Sequence, residues 1–225
     1  MEYDVKFPDI GNYDLKKPGE MALYHAHSDL LPFKSVIDTT KVSLEAISGY
    51  YHSTSNKARE LGDYITEEWA MTSGMLYSAR VIPLSYYSLV LVMVSLLEEA
   101  FNTLCRAYHI MKEYEIEQKD MAGQGLERAI TYLDKVAGVK GIKADPKWEY
   151  VKTIRDARNM IVHNGGRVTG KTNAYEKFGF YLHEEDKRLG FEYDDIIRMY
   201  EAILEFINRV FIIEPIVSTE KNNTE

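Results

Sequence analysis

Seventeen consecutive residues without a charge, 81–97 between Arg80 and Glu98, constrain this chain more than any other feature. A membrane-crossing helix needs roughly 18 to 20 predominantly apolar residues, and this run also holds Pro83, Ser85, Tyr86, Tyr87, Ser88 and Ser95. It reads as a helix enclosed by other helices or by a second subunit, not as a membrane span. Pro83 suits the first turn, where its missing N–H costs nothing. The apolar period then continues through Leu84, Tyr87, Leu91, Val94, Leu97, Phe101, Leu104 and Tyr108.

The rest of the chain supplies the covering helices. From about residue 37 to 80, Leu44, Ile47, Tyr51, Leu61, Tyr64, Ile65, Trp69 and Leu76 recur mostly at three- or four-residue steps, with Ser53-Thr54-Ser55-Asn56 offering a break between two helices. Gly123 and Gly125 precede a shorter helix on Leu126, Ile130, Leu133 and Val136, which Gly138 and Gly141 end. Asp145-Pro146 reads as an N-cap and first-turn proline, opening a helix with Trp148, Val151, Ile154, Met160, Ile161 and Val162 that Asn164-Gly165-Gly166 stops. Residues 167–175 read as a loop, and 178–182 with 189–191 as a small β-hairpin. Residues 193–213 form the last helix, with one broad apolar stripe from Ile196 to Phe211. The expected fold is an all-α helical bundle with a small hairpin before the last helix. Residues 1–35, with Pro8, Gly11, Pro18, Gly19 and Pro32, read as an irregular arm, 36–217 as one helical domain, and 218–225 as a polar, mobile tail.

Composition narrows the function. A single cysteine, Cys105, excludes an internal disulfide framework and fits a reducing compartment. The first residues lack the basic start and apolar run of a secretory signal, so a cytoplasmic location is expected. The net charge of −8 argues against indiscriminate coating of nucleic acid. Residues 135–177 nevertheless carry ten basic against four acidic side chains, enough to focus a positive field, unless those lysines only solvate helix faces. His25 and His27 have no partner cluster of cysteine or carboxylate, so neither a metal nor a cofactor is expected.

The segment that stands apart is Ile154-Arg155-Asp156-Ala157-Arg158-Asn159-Met160-Ile161-Val162-His163-Asn164-Gly165-Gly166. Arginine, a polar residue, and histidine after four intervening residues, near the end of a penultimate helix, resemble the signature of the HEPN superfamily. The resemblance covers about residues 84–211. It implies a metal-independent endoribonuclease acting on RNA as a homodimer, with the two motifs facing across the two-fold axis. Many such proteins are toxins or abortive-infection effectors of prokaryotes, some under an antitoxin or other regulatory partner, while others keep the fold and only bind nucleotides or protein partners. Glu98 and Glu99 are similar to an acidic position on a family helix near the site.

The chemistry also follows from the residue types. Cleaving RNA with its own 2′-hydroxyl needs a proton acceptor, a proton donor and positive charge on the crowded phosphorane. Histidine suits the first two tasks and an always-charged planar guanidinium the third. Arg158 is assigned to the phosphate, His163 to proton transfer and Asn159 to orienting His163 or the phosphate. Lys152, Arg155 and Asn164 are candidates for substrate binding. On an ideal helix Arg158 and His163 lie roughly 140° apart, while His163 shares a face with Asn159. The pair converges if the helix ends or distorts at His163, or if one subunit's arginine meets the other's histidine. The plain alternative is that both are C-terminal helix charges opposing the dipole, worth about 0.3 to 1 kcal/mol.

Overall fold

The computed structural model describes residues 7–170 and 173–215. The protein is all-α, with a two-stranded antiparallel hairpin before the last helix. The helices are α1 (Pro18–Leu61), α2 (Tyr64–Leu76), α3 (Ile82–Met111), α4 (Gly125–Lys135), α5 (Trp148–Asn164), α6 (Asn173–Lys177) and α7 (Tyr193–Val210). In the hairpin, β1 (Tyr181–Leu182) pairs with β2 (Leu189–Gly190), Tyr181 opposite Gly190 and Leu182 opposite Leu189.

The chain divides into two compact units. Among described residues the first comprises Phe33–Val92 and Thr153–Met199, and the second residues 7–32, Met93–Lys152 and residues 200–215. No linker marks the boundaries, because each falls inside a helix whose apolar period runs through it. The tail read at 218–225 lies outside the described residues.

Residues 18–35, expected in an irregular arm, are helical. Helix α1 starts at Pro18, so only residues 7–17 of the described arm precede it. Proline at the first helical position needs no donor, and Glu20 in the first turn faces the positive end of the helix dipole. Ala22, Ala26, Leu30, Phe33 and Ile37, at three- and four-residue steps, are all buried, and that burial outweighs Gly19 and Pro32 as breakers. Ser53-Thr54-Ser55-Asn56 does not break the helix either. It ends at Leu61, where Gly62 takes φ 70° and the Asp63 carboxylate caps α2 by accepting the Thr66 N–H at 3.1 Å. The loop expected over 167–175 contains the start of α6.

Pro83 lies in the first turn of α3, as expected, although no break in the helical path precedes it. A π-turn over Tyr77–Val81 joins α2 to α3. Proline cannot donate to the carbonyl four residues back and its ring crowds that carbonyl, and the wider turn just before it relieves both. The resulting path, Tyr64–Met111, is by length and composition apolar enough to cross a membrane, yet only 39% of its most apolar window is buried within the chain. Apolar surface therefore remains exposed along it.

Each unit has its own aromatic core. In the first, Tyr87, Phe191, Phe180 and Tyr175 form a chain of rings with successive centroids 5.9, 5.6 and 6.1 Å apart. In the second, Phe101 stacks on Phe206 at 5.7 Å and meets Phe211 edge-on at 5.2 Å, with Trp148 tilted against Phe206. Helix α5 starts at Trp148, later than the Asp145-Pro146 start expected; Asp145 instead closes the turn before it by accepting the Lys147 N–H at 2.8 Å, and its carboxylate also takes a two-pronged bond from Arg209, at 2.9 and 3.0 Å.

Cys105 is buried in the second unit, its Sγ 3.5 Å from the Ala129 carbonyl oxygen, and burial pushes the thiol up to about 12. Only the thiolate attacks a disulfide reagent. At pH 8 the folded protein is expected to react with an aromatic disulfide orders of magnitude more slowly than the urea-unfolded chain, read by absorbance. Equal rates would contradict the buried placement.

Candidate active site

Ile154, Ala157 and Ile161, at three- and four-residue spacing, are buried and anchor one face of α5. Arg158, Asn159 and Met160 are half-buried on the shoulders, while Val162, His163 and Asn164 are exposed. The helix is closed by Gly165 at φ 59° and Gly166 at φ 83°, and the Gly166 N–H returns to the Met160 carbonyl at 3.0 Å.

The α5 helix runs through Asn164, so no distortion draws Arg158 and His163 together within one chain, and they stay roughly 140° apart. Arg158 Nη1 donates to Asn159 Oδ1 at 3.1 Å, the side chain's one hydrogen bond among the described residues, while its Nε is buried with no partner. Asn159 therefore orients the arginine, and makes no bond to His163. The imidazole of His163 has no hydrogen bond among the described residues. Asn164 points its Nδ2 at Met160 Sδ, 3.4 Å away.

The other expected residues are placed differently. Arg155 is held by the Asp156 carboxylate at 3.0 and 3.3 Å, with its side chain 16% exposed. Lys152, Glu98 and Glu99 belong to the second unit. There Glu99 accepts from Arg106, and the Glu98 carboxylate is pressed against Gly125 at the start of α4, where the helix dipole favours it. Three of the ten basic side chains in 135–177 pair with acids outside that window. Lys140 pairs with Asp134 at 3.3 Å, Lys143 with Glu127 at 2.7 Å and Lys147 with Glu205 at 2.8 Å. A count along the chain cannot register partners that folding brings in from α4 and α7.

Two positioning residues escaped the sequence reading. The Tyr87 hydroxyl donates to the Leu189 carbonyl, and the Leu189 N–H donates to the Gly166 carbonyl at 3.0 Å. Val168 continues the seam by donating to the Lys187 carbonyl at 3.0 Å. The segment after His163 is thus tied to the hairpin and seated on Tyr87, whose hydroxyl burial pushes up to about 12. Tyr87 at a helical step looks like any core aromatic, and only its hydroxyl distinguishes it.

Among the described residues no group of three or more His, Cys, Asp or Glu is placed to hold a metal. Both ring nitrogens of His27 are engaged, with the Tyr13 hydroxyl and with Asn208 Oδ1, each at 2.6 Å. No protein-family model, curated protein or solved structure matches this chain.

Proposed function

We propose that the protein is a cytoplasmic, metal-independent endoribonuclease of HEPN type, of the kind that serves prokaryotes as a toxin or abortive-infection effector. The observation that carries this reading is an arginine with an unmet, buried Nε–H five residues before an exposed histidine that makes no hydrogen bond among the described residues, on the same helix. A desolvated guanidinium donor without a partner is costly, and an anionic ligand that re-orients the side chain relieves it. A phosphorane is such an anion.

In this reading the RNA 2′-hydroxyl attacks its own phosphate. One His163 takes the hydroxyl proton, Arg158 stabilises the added charge, and a proton is given to the departing 5′-oxygen, leaving a 2′,3′-cyclic phosphate. Since Arg158 and His163 face different sides of α5, the cleft needs a second copy, whose His163 supplies the second proton transfer. An antitoxin or other regulatory partner that covers the exposed His163 would silence it.

The test is cleavage of a mixed single-stranded RNA, with EDTA present, by the wild type, His163→Ala and Arg158→Ala, their folding matched by circular dichroism. The expected result is EDTA-resistant cleavage that falls about 10²- to 10⁴-fold in each variant. Absent wild-type cleavage, or equal cleavage by the variants, would remove the catalytic reading. The acidic net charge and the neutralised lysines favour the runner-up, a non-catalytic module binding a nucleotide or protein partner through the same motif.

A further inference from the structure

Helix α2 turns its apolar side outward. Eight of its thirteen positions are exposed, and six of the eight are Tyr64, Ile65, Trp69, Met71, Met75 and Leu76, each 48 to 84% exposed. At about 100° per residue these positions fall within one face of roughly 160°. The opposite side carries Ala70 and Gly74, and a Cβ added to Gly74 would lie 3.2 Å from Tyr51 Cβ of α1. Small residues therefore seat α2 on α1, with the Trp69 ring edge-on to Tyr51 at 5.9 Å, while the large side chains stay 48 to 84% exposed. Six side chains of this size and exposure present on the order of 700 Å², above the few hundred Å² of scattered apolar patch on a monomer and close to the ~800 Å² per partner of a standard interface.

The two polar exceptions on that face are Thr72 and Glu68. Glu68 has no ion partner among the described residues, and neither has Arg80, exposed in the π-turn at the far end of the face. Twelve residues, or about 18 Å, separate them. In an unbroken α-helix Arg80 would lie about 120° round from Glu68, and the π-turn, advancing less per residue, brings it back toward the middle of the face. A two-fold contact is made twice, residue i with j and j with i. An antiparallel pairing centred near Gly74 therefore sets Glu68 of each copy against Arg80 of the other, with Trp69, Met71 and Met75 between. A lipid surface suits this face less well, because among the described residues the Glu68 carboxylate within it has no ion partner and no cluster of Lys and Arg borders it to meet anionic headgroups.

We propose that α2 is a self-association face, on which two copies of this chain pair antiparallel, flanked by two reciprocal Glu68–Arg80 ion pairs. The face carries none of the motif residues, so this contact is separate from the pairing that the ribonuclease reading needs; where both form, copies associate beyond a dimer, and the α2 variants remove this contact alone.

Sedimentation of the full chain over roughly 1 to 100 µM tests it. The expected result is a reversible dimer whose formation shifts Trp69 fluorescence to the blue, while Trp148, already buried, stays unchanged. The double variant Ile65→Glu with Met75→Glu is expected to raise Kd at least ~100-fold without altering the circular dichroism spectrum, since both positions are exposed. Glu68→Arg and Arg80→Glu are each expected to raise Kd about tenfold, and the combined charge swap to regain most of the loss. A monomer throughout, a dimer indifferent to these variants, or a swap that fails to rescue would overturn the proposal. So would binding to neutral phosphatidylcholine vesicles in place of dimerisation.

Discussion

Replacing Gly166 by alanine is expected to cost roughly 2 to 5 kcal/mol of stability, through two costs that add. The residue sits at φ 83°, where an L side chain loses about 1 to 2 kcal/mol. The new Cβ would also lie 2.2 Å from the Tyr87 hydroxyl oxygen and 2.6 Å from its ring carbon. That hydroxyl cannot simply swing aside, because it is buried and donates to the Leu189 carbonyl. Moving it strands a buried acceptor, at about 1 to 3 kcal/mol. Urea denaturation of wild type, Gly166→Ala, Tyr87→Phe and the double variant measures the coupling. Tyr87→Phe removes the nearest clashing atom, so the double variant should lose less than the sum of the single losses. A Gly166→Ala protein within 1 kcal/mol of wild type would mean that the loop after His163 is not seated on Tyr87.

Gly19→Ala is expected to lower the melting temperature by roughly 6 to 12 °C, equivalent to about 3 kcal/mol for a chain of this size. The sign is the informative part, because alanine in a helix normally gains about 0.5 to 1 kcal/mol over glycine. Here the added Cβ would stand 1.9 Å from the Phe211 carbonyl oxygen and 3.1 Å from its carbon. Both are backbone atoms, and Phe211 itself is buried edge-on against Phe101, so no side chain can rotate to make room. Scanning calorimetry reads the effect directly. A raised melting temperature would show that the start of α1 does not lie against Phe211.

The elements most legible in the sequence were those whose signals are local. The step pattern of α3, the glycine stop after Asn164 and the stripe of α7 each depend on residues within a turn or two of one another. The hairpin was legible for the same reason, as two short apolar runs around a polar turn. Pro18, Gly19 and Pro32 misled because breaker propensities assume an isolated helix, whereas α1 is held by the burial of Ala22, Ala26 and Leu30. The placing of Arg158, Asn159 and His163 near the end of one helix was likewise readable, but Asn159's bond to Arg158 was not, because side-chain direction on a helix depends on what packs around it.

By itself, then, the sequence determined the helical class, most helix starts and stops, and the segment holding the motif, because hydrogen bonding within a helix and the turn of 3.6 residues act over short distances. Only the tertiary structure decided that the segment after His163 is tied to the hairpin and to Tyr87, that three lysines of the basic window pair with Asp134, Glu127 and Glu205, and that α2 keeps its large apolar residues mostly in solvent. Those outcomes join residues far apart in the chain or turn on which face a neighbouring helix covers, and the energy of such contacts appears only once the backbone has brought them together.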